Sequence, residues 1–194
     1  MKKKRVPKLK SVVEPKLNKN LKVMAKKDIQ QSYIVFGFQT VPRKSKDRFV
    51  LEVIRGVLGR PQSGTLFTEI RLKRGLCYSI GVYHDAGEDY GVYAIYCGTR
   101  KKNLKLVRKL VNQEIEKIKD LSEKDLKVAK SYLEGDYIIK MEDNINVADL
   151  VAHNTLLGLD YDYIKEIKKV TLKDIKKVYN KYLKHYVEAV VMEK

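Results

Sequence analysis

The segment Ser63–Gly81, SGTLFTEIRLKRGLCYSIG, constrains this chain more than any other. Leu66, Phe67 and Ile70 recur at the spacing of a short helix. Gly75 stands where that helix would stop, because glycine enters the left-handed conformation without a side-chain clash. CYSIGVYH then reads as a strand. The chain therefore runs Arg71 down a helix, reverses, and presents Tyr78 near a strand start. Two long hydrogen-bond donors seven positions apart can converge on one point, which suits gripping a carbonyl oxygen. Periodicity does not choose Arg71 by itself: it lies at the edge of the apolar stripe beside Glu69 and Lys73, and Arg74 falls nearer the centre. Tyr78 could equally be a core aromatic sharing a face with Ile80 and Val82.

Around this segment the pattern predicts a strand over 32–40 and a helix over Lys46–Leu58, where Phe49, Val50, Val53, Ile54, Val57 and Leu58 recur at one-turn spacing. Strands follow near 77–84 and 89–98, joined by the turn DAGED. A helix runs over about 103–118. Ser122 with Asp125 opens another, to about Met141, and a short one covers about 147–157, closed by Gly158. Thr171 with Asp174 opens the last, to about Leu183, and YVEAVVME ends the chain as a strand. Paired strands and clustered helices, rather than single βαβ units, predict an α+β fold: a two-layer sandwich with a mainly antiparallel sheet and helices on one face.

Length allows one domain with a sizeable core, or two small ones, in 194 residues. No run of about 18 apolar residues exists, so no membrane partner is expected. MKKKRVPKLK lacks the apolar core of a signal peptide, which leaves a cytoplasmic address as the expectation. Cys77 and Cys97 are too few for a disulfide framework and read as small buried residues in a reducing compartment. Of the net charge of +17, residues 1–27 supply +10. That arm could contact nucleic acid or an anionic surface. It interleaves Pro7 and Pro15 with single apolar residues and has no aromatic to stack on a base, so a basic lead-in or linker is the better reading. The expected division is a lead-in over 1–27 and a single domain over 28–194. Tyr90, Tyr93 and Tyr96 alternate between strand faces, which argues against a stacking platform for single strands.

SGTLFTEIRLKRGLCYSI resembles, without a gap, the segment SSRLFQEIREKRGLAYSV of the inverted-zinc-motif metallopeptidases, the pitrilysin, insulysin and mitochondrial processing peptidase type. DIQQSYIVFGFQTVP, GVYAIYCGTRKKN, LSEKDLKVAKSYLEGDYIIKMED and VTLKDIKKVYNKYL resemble further family segments in the same order. The resemblance picks out Arg71 and Tyr78 as substrate contacts at the reacting carbonyl, with Gly75 as the supporting turn. It also implies a processing-peptidase-like half fold. The catalytic half of such enzymes carries H-x-x-E-H, whose two imidazoles bind zinc while the glutamate activates water. This chain has only His84, His153 and His185, no two of them four apart. The resemblance therefore implies the C-terminal, non-catalytic half, with no catalytic residue and no metal ligand of its own. Zinc is expected in a partner half carrying H-x-x-E-H, and the ligand is an unfolded peptide. The alternatives are a degenerate structural subunit of the same fold, a pairing of two copies of this chain, or a basic nucleic-acid-binding module.

Overall fold

The structure, a computed structural model, describes residues 22–26 and 28–193. Its centre is β2 (Ser32–Gln39), whose alternation buries Ile34, Phe36 and Phe38 on one face. Among the described residues the sheet has five strands, in the order Lys22–Lys26 (β1), Val187–Glu193 (β5), β2, Gly91–Thr99 (β4) and Cys77–Ala86 (β3). β3 and β4 form a hairpin, and β4 and β5 flank β2; all three of these pairings are antiparallel. β1 pairs with β5 in parallel, Lys22 opposite Ala189 and Lys26 opposite Glu193. The expected α+β architecture is thus present, with one parallel pair at the far edge.

The helices gather on the face to which Ile34, Phe36, Phe38, Tyr93 and Ile95 point. α1 (Asp47–Leu58) lies at the heart of that layer, packed against β3 and against the helices over 123–140, 163–169 and 172–178. Phe49, Leu51, Val53, Ile54, Val57 and Leu58 are all buried. Burying each such side chain contributes about 1.5–3 kcal/mol, so this helix owes its stability to packing rather than to caps; Lys46 gives it no side-chain cap. α2 (Leu104–Lys117) adds Val107, Leu110, Val111 and Ile115. Its Arg108 reaches the buried Glu188 on β5 in a fork, Nε to Oε2 at 2.8 Å and Nη2 to Oε1 at 2.5 Å. α3 (Glu123–Lys140) starts at Ser122, whose hydroxyl accepts from the Asp125 N–H at 3.2 Å. It buries Leu126, Ala129 and Leu133, but its last turns leave Ile138 and Ile139 exposed.

The structure departs from the expected element bounds in several places. Lys22–Lys26, expected in the lead-in, is a sheet strand, so the boundary at residue 27 falls after β1; short and lysine-flanked, it carries little side-chain signal, and backbone pairing with β5 defines it. Residues 1–21, the rest of the expected basic arm, lie outside the described residues. α4 (Asn144–Leu157) begins three residues earlier than its apolar pattern because the Asp143 side chain accepts from the Ile145 N–H at 2.8 Å. Gly158 closes it in the left-handed conformation, φ +61. α5 (Tyr163–Lys169), capped by Asp162, was not expected: seven residues show too little periodicity. α6 (Leu172–Val178) opens on the expected Thr171–Asp174 capping box and continues as a π-helical turn, Tyr179–Leu183.

Candidate functional site

Between α1 and β3 the chain forms a π-helical turn, Phe67–Leu72, not the α-helix its apolar spacing suggests. The wider turn is fixed by the Lys73 N–H, which donates to the Thr68 carbonyl five residues back at 3.0 Å. Gly75 ends it with φ +60, as its place in the sequence predicts. Its N–H donates to the Arg71 carbonyl at 2.9 Å, and the next N–H, of Leu76, donates to the Ile70 carbonyl at 3.0 Å. The reversal is then pinned to the sheet: the Thr99 hydroxyl donates to the Leu76 carbonyl at 2.5 Å.

β3 starts with a bulge. Cys77 stands opposite Thr99 and Ser79 opposite Gly98, so Tyr78 is the extra residue with no partner in β4. Without the bulge Tyr78 would share a face with Ile80 and Val82. With it, Cys77 turns inward and Tyr78 points out, 76 % exposed. The core reading of Tyr78 is thereby excluded.

Three cations occupy residues 71–74. Glu69 engages two of them: Lys73 Nζ lies 2.5 Å from Oε1 and Arg74 Nη1 lies 2.8 Å from Oε2. These bonds, the one from Lys73 foremost, hold the Glu69 carboxyl down at about 2. Arg71 takes no part in an ion pair among the described residues. Its guanidinium carbon lies between two aromatic faces, 5.2 Å from the Phe67 ring centroid and 5.4 Å from that of Tyr78. The structure thus separates Arg71 from Arg74, which helical periodicity could not. It brings Arg71 and Tyr78 together and places Gly75 at the turn that joins them. Arg71 lines a cavity of about 530 Å³ that also reaches Arg55, Leu58, Tyr132 and residues 79–82; Tyr78 lies outside its wall.

A polar network on the same side of the sheet has no counterpart in the sequence reading. His84 on β3, its side chain 3 % exposed, meets Glu52 of α1 with Nδ1 2.7 Å from Oε1. Arg55 binds the other oxygen of Glu52 at 2.9 Å and faces Asp136 of α3 at 3.9 Å, while Lys140 holds Asp136 at 2.9 Å. Burial pushes the Glu52 carboxyl up, but the hydrogen bond with His84 and the Arg55 guanidinium outweigh it and hold it at about 2. Because that carboxylate only accepts, His84 donates through Nδ1; its Nε2 is buried without a partner. The sequence signal is a glutamate and an arginine, Glu52 and Arg55, interrupting the apolar run from Phe49 to Leu58.

Cys77 and Cys97 are both free and buried. The hydrogen bond with Cys77, together with burial, pushes the Cys97 thiol up. No three His, Cys, Asp or Glu side chains converge as a metal site among the described residues. His84 is committed to Glu52, and His153 on α4 bonds the Asp149 carbonyl at 2.8 Å. The described residues do not fit a zinc ion.

Residues 2–133 match the model of the family described as the peptidase M16 inactive domain. Among curated proteins, an uncharacterized zinc protease of Streptomyces coelicolor is 26 % identical over 156 residues, covering 77 % of this chain and 34 % of its own length. The uncharacterized zinc protease YmxG of Bacillus subtilis is 28 % identical over 148 residues, covering 75 % and 36 %. The chain therefore spans about a third of the length of the curated relatives it matches. Among solved structures, a protease from Helicobacter pylori superposes with a TM-score of 0.87 at 21 % identity, over 97 % of this chain and 47 % of that one. Family model, relatives and fold agree, and the chain belongs to the M16 peptidase family as an inactive domain.

Proposed function

We propose that this chain is the substrate-gripping, non-catalytic half of a zinc metallopeptidase that acts on unfolded peptides, and that it works with a partner half carrying H-x-x-E-H. The observation that carries this reading is the state of Arg71: Lys73 and Arg74 occupy the only carboxylate in the segment, Glu69, and Arg71 is left charged between two rings. A degenerate structural subunit has no need of a cation kept free in this way.

The partner's zinc would polarise the peptide bond and activate water. This chain's part is at the carbonyl oxygen. Arg71 offers a permanently charged planar donor and Tyr78 a phenolic donor on a stiff ring. As negative charge builds on that oxygen, donors already in place stabilise it without reorganising, which favours the transition state over the bound peptide. The bulge that exposes Tyr78 and the Gly75 turn that brings it near Arg71 support this reading.

The test mixes the purified chain with an H-x-x-E-H polypeptide from the same organism. The expected result is a complex that cleaves an unfolded peptide, with one zinc per partner and none in this chain. Failure to associate, or zinc-dependent cleavage by this chain alone, overturns the reading.

A further inference from the structure

We propose that the free edge of β3 is itself a peptide-binding element: an extended segment of substrate adds to it as a sixth strand, running along residues 79–86. This rests on the reading of Arg71 and Tyr78 as a peptide grip and extends it from one carbonyl to the backbone of several residues.

Among the described residues β3 is the last strand of the sheet and pairs only with β4. Among the described residues, none of the loop, turn and cap backbone hydrogen bonds begins or ends at residues 77–86. Alternate residues of such a strand turn both N–H and C=O toward the empty side, a ready template for another chain.

Proteins blunt such edges with short strands, lysine or proline. The opposite edge of this sheet follows that rule: β1 has five residues and a lysine at each end. β3 breaks it. It is ten residues long, CYSIGVYHDA, with no lysine, arginine or proline, in a chain holding 41 lysines and arginines. An edge left long and free of lysine and arginine in so basic a protein is one that pairs.

The space beside it has the matching shape. Two cavities, of about 530 and 410 Å³, both reach Val82, Arg55, Asp136 and Lys140, and between them they touch every residue from 79 to 86. Together they make one trough along the edge, walled on the far side by Tyr132, Asp136, Tyr137 and Lys140 of α3. Eight residues of strand extend about 27 Å, enough for an eight-residue peptide. Arg71 stands in the first cavity, so a strand laid in the trough passes directly by the grip residue. The occupant is an extended peptide whose main chain supplies the bonds, so recognition is broad in sequence.

The probe is a fluorescein-labelled ten-residue peptide of alternating threonine and valine ending in glutamate, and its analogue N-methylated at every residue. Anisotropy gives affinity, and amide hydrogen exchange gives location. The expected result is binding of the parent peptide, at least tenfold weaker binding of the methylated one, and slowed exchange at amides within 79–86. Binding without that protection, or with equal affinity for the methylated peptide, overturns the edge proposal. If such binding is nonetheless lost in Arg71→Ala, the grip reading survives alone. If β3 is protected equally in wild type and in Arg71→Ala, the edge proposal holds and the grip reading fails. Protection that depends on protein concentration without peptide assigns the edge to a second copy and overturns the proposal, as does no peptide binding at millimolar concentration.

Discussion

The guanidinium carbon of Arg71 lies 5.4 Å from the ring centroid of Tyr78, across a turn closed by Gly75 at φ +60. The two residues support each other physically before any substrate arrives. A charged group stacked on a ring keeps its donors outward and loses less freedom when it binds. With 76 % of Tyr78 exposed, its hydroxyl contributes little to folding. Tyr78→Phe is expected to leave stability within about 0.5 kcal/mol. Arg71→Ala, which loses contact with two rings, is expected to cost about 1 kcal/mol. Urea denaturation of the two variants beside wild type checks both values.

Gly75→Ala tests the turn. No atom beyond the neighbouring residues 74 and 76 lies within 4 Å of where the new Cβ would stand, so there is no tertiary clash to relieve. The cost is backbone strain alone, about 1–2 kcal/mol for a non-glycine residue at positive φ. The same variant should weaken any peptide binding that needs Arg71 and Tyr78 in register. Unchanged stability in urea would mean that the turn does not require a left-handed residue.

The Glu52–His84 contact predicts a pH dependence. The Glu52 carboxyl is held at about 2 against an ordinary 4.5. A depressed carboxylate contributes stability that is fully present above its unfolded value and is lost as pH falls through its folded one. The shift corresponds to about 3 kcal/mol, lost between roughly pH 4.5 and pH 2. Glu52→Gln should therefore be less stable than wild type at pH 7, and the gap should close toward pH 2. Denaturant titrations of both proteins across that range measure it; a gap independent of pH contradicts the assignment.

What the sequence revealed depended on how local the signal was. The Thr171–Asp174 capping box, the Gly75 turn and the alternation of β2 each live within a few residues, and each appears in the structure where the pattern puts it. The bulge at Tyr78 was not legible, because it is defined by Cys77 and Ser79 facing Thr99 and Gly98, some twenty residues on. The π-helical turn is hidden for a related reason: apolar spacing reports a 3.6-residue period, and a wider turn re-sorts which of Arg71 and Arg74 faces the rings. Glu52 and His84 lie 32 residues apart, and no spacing rule joins them. β1 carried too few side chains to show a pattern, and only its pairing with β5 defines it.

The most direct test of the central claim is peptide turnover by the chain assembled with its zinc-bearing partner, comparing wild type, Tyr78→Phe and Arg71→Ala at equal complex concentration. Removing one preorganised donor at a developing oxyanion should lower kcat by about 10²- to 10³-fold, roughly 3–4 kcal/mol, while the complex and its zinc content stay intact. Turnover within about twofold of wild type in both variants, with assembly unchanged, would contradict the account and leave the chain a structural member of its complex.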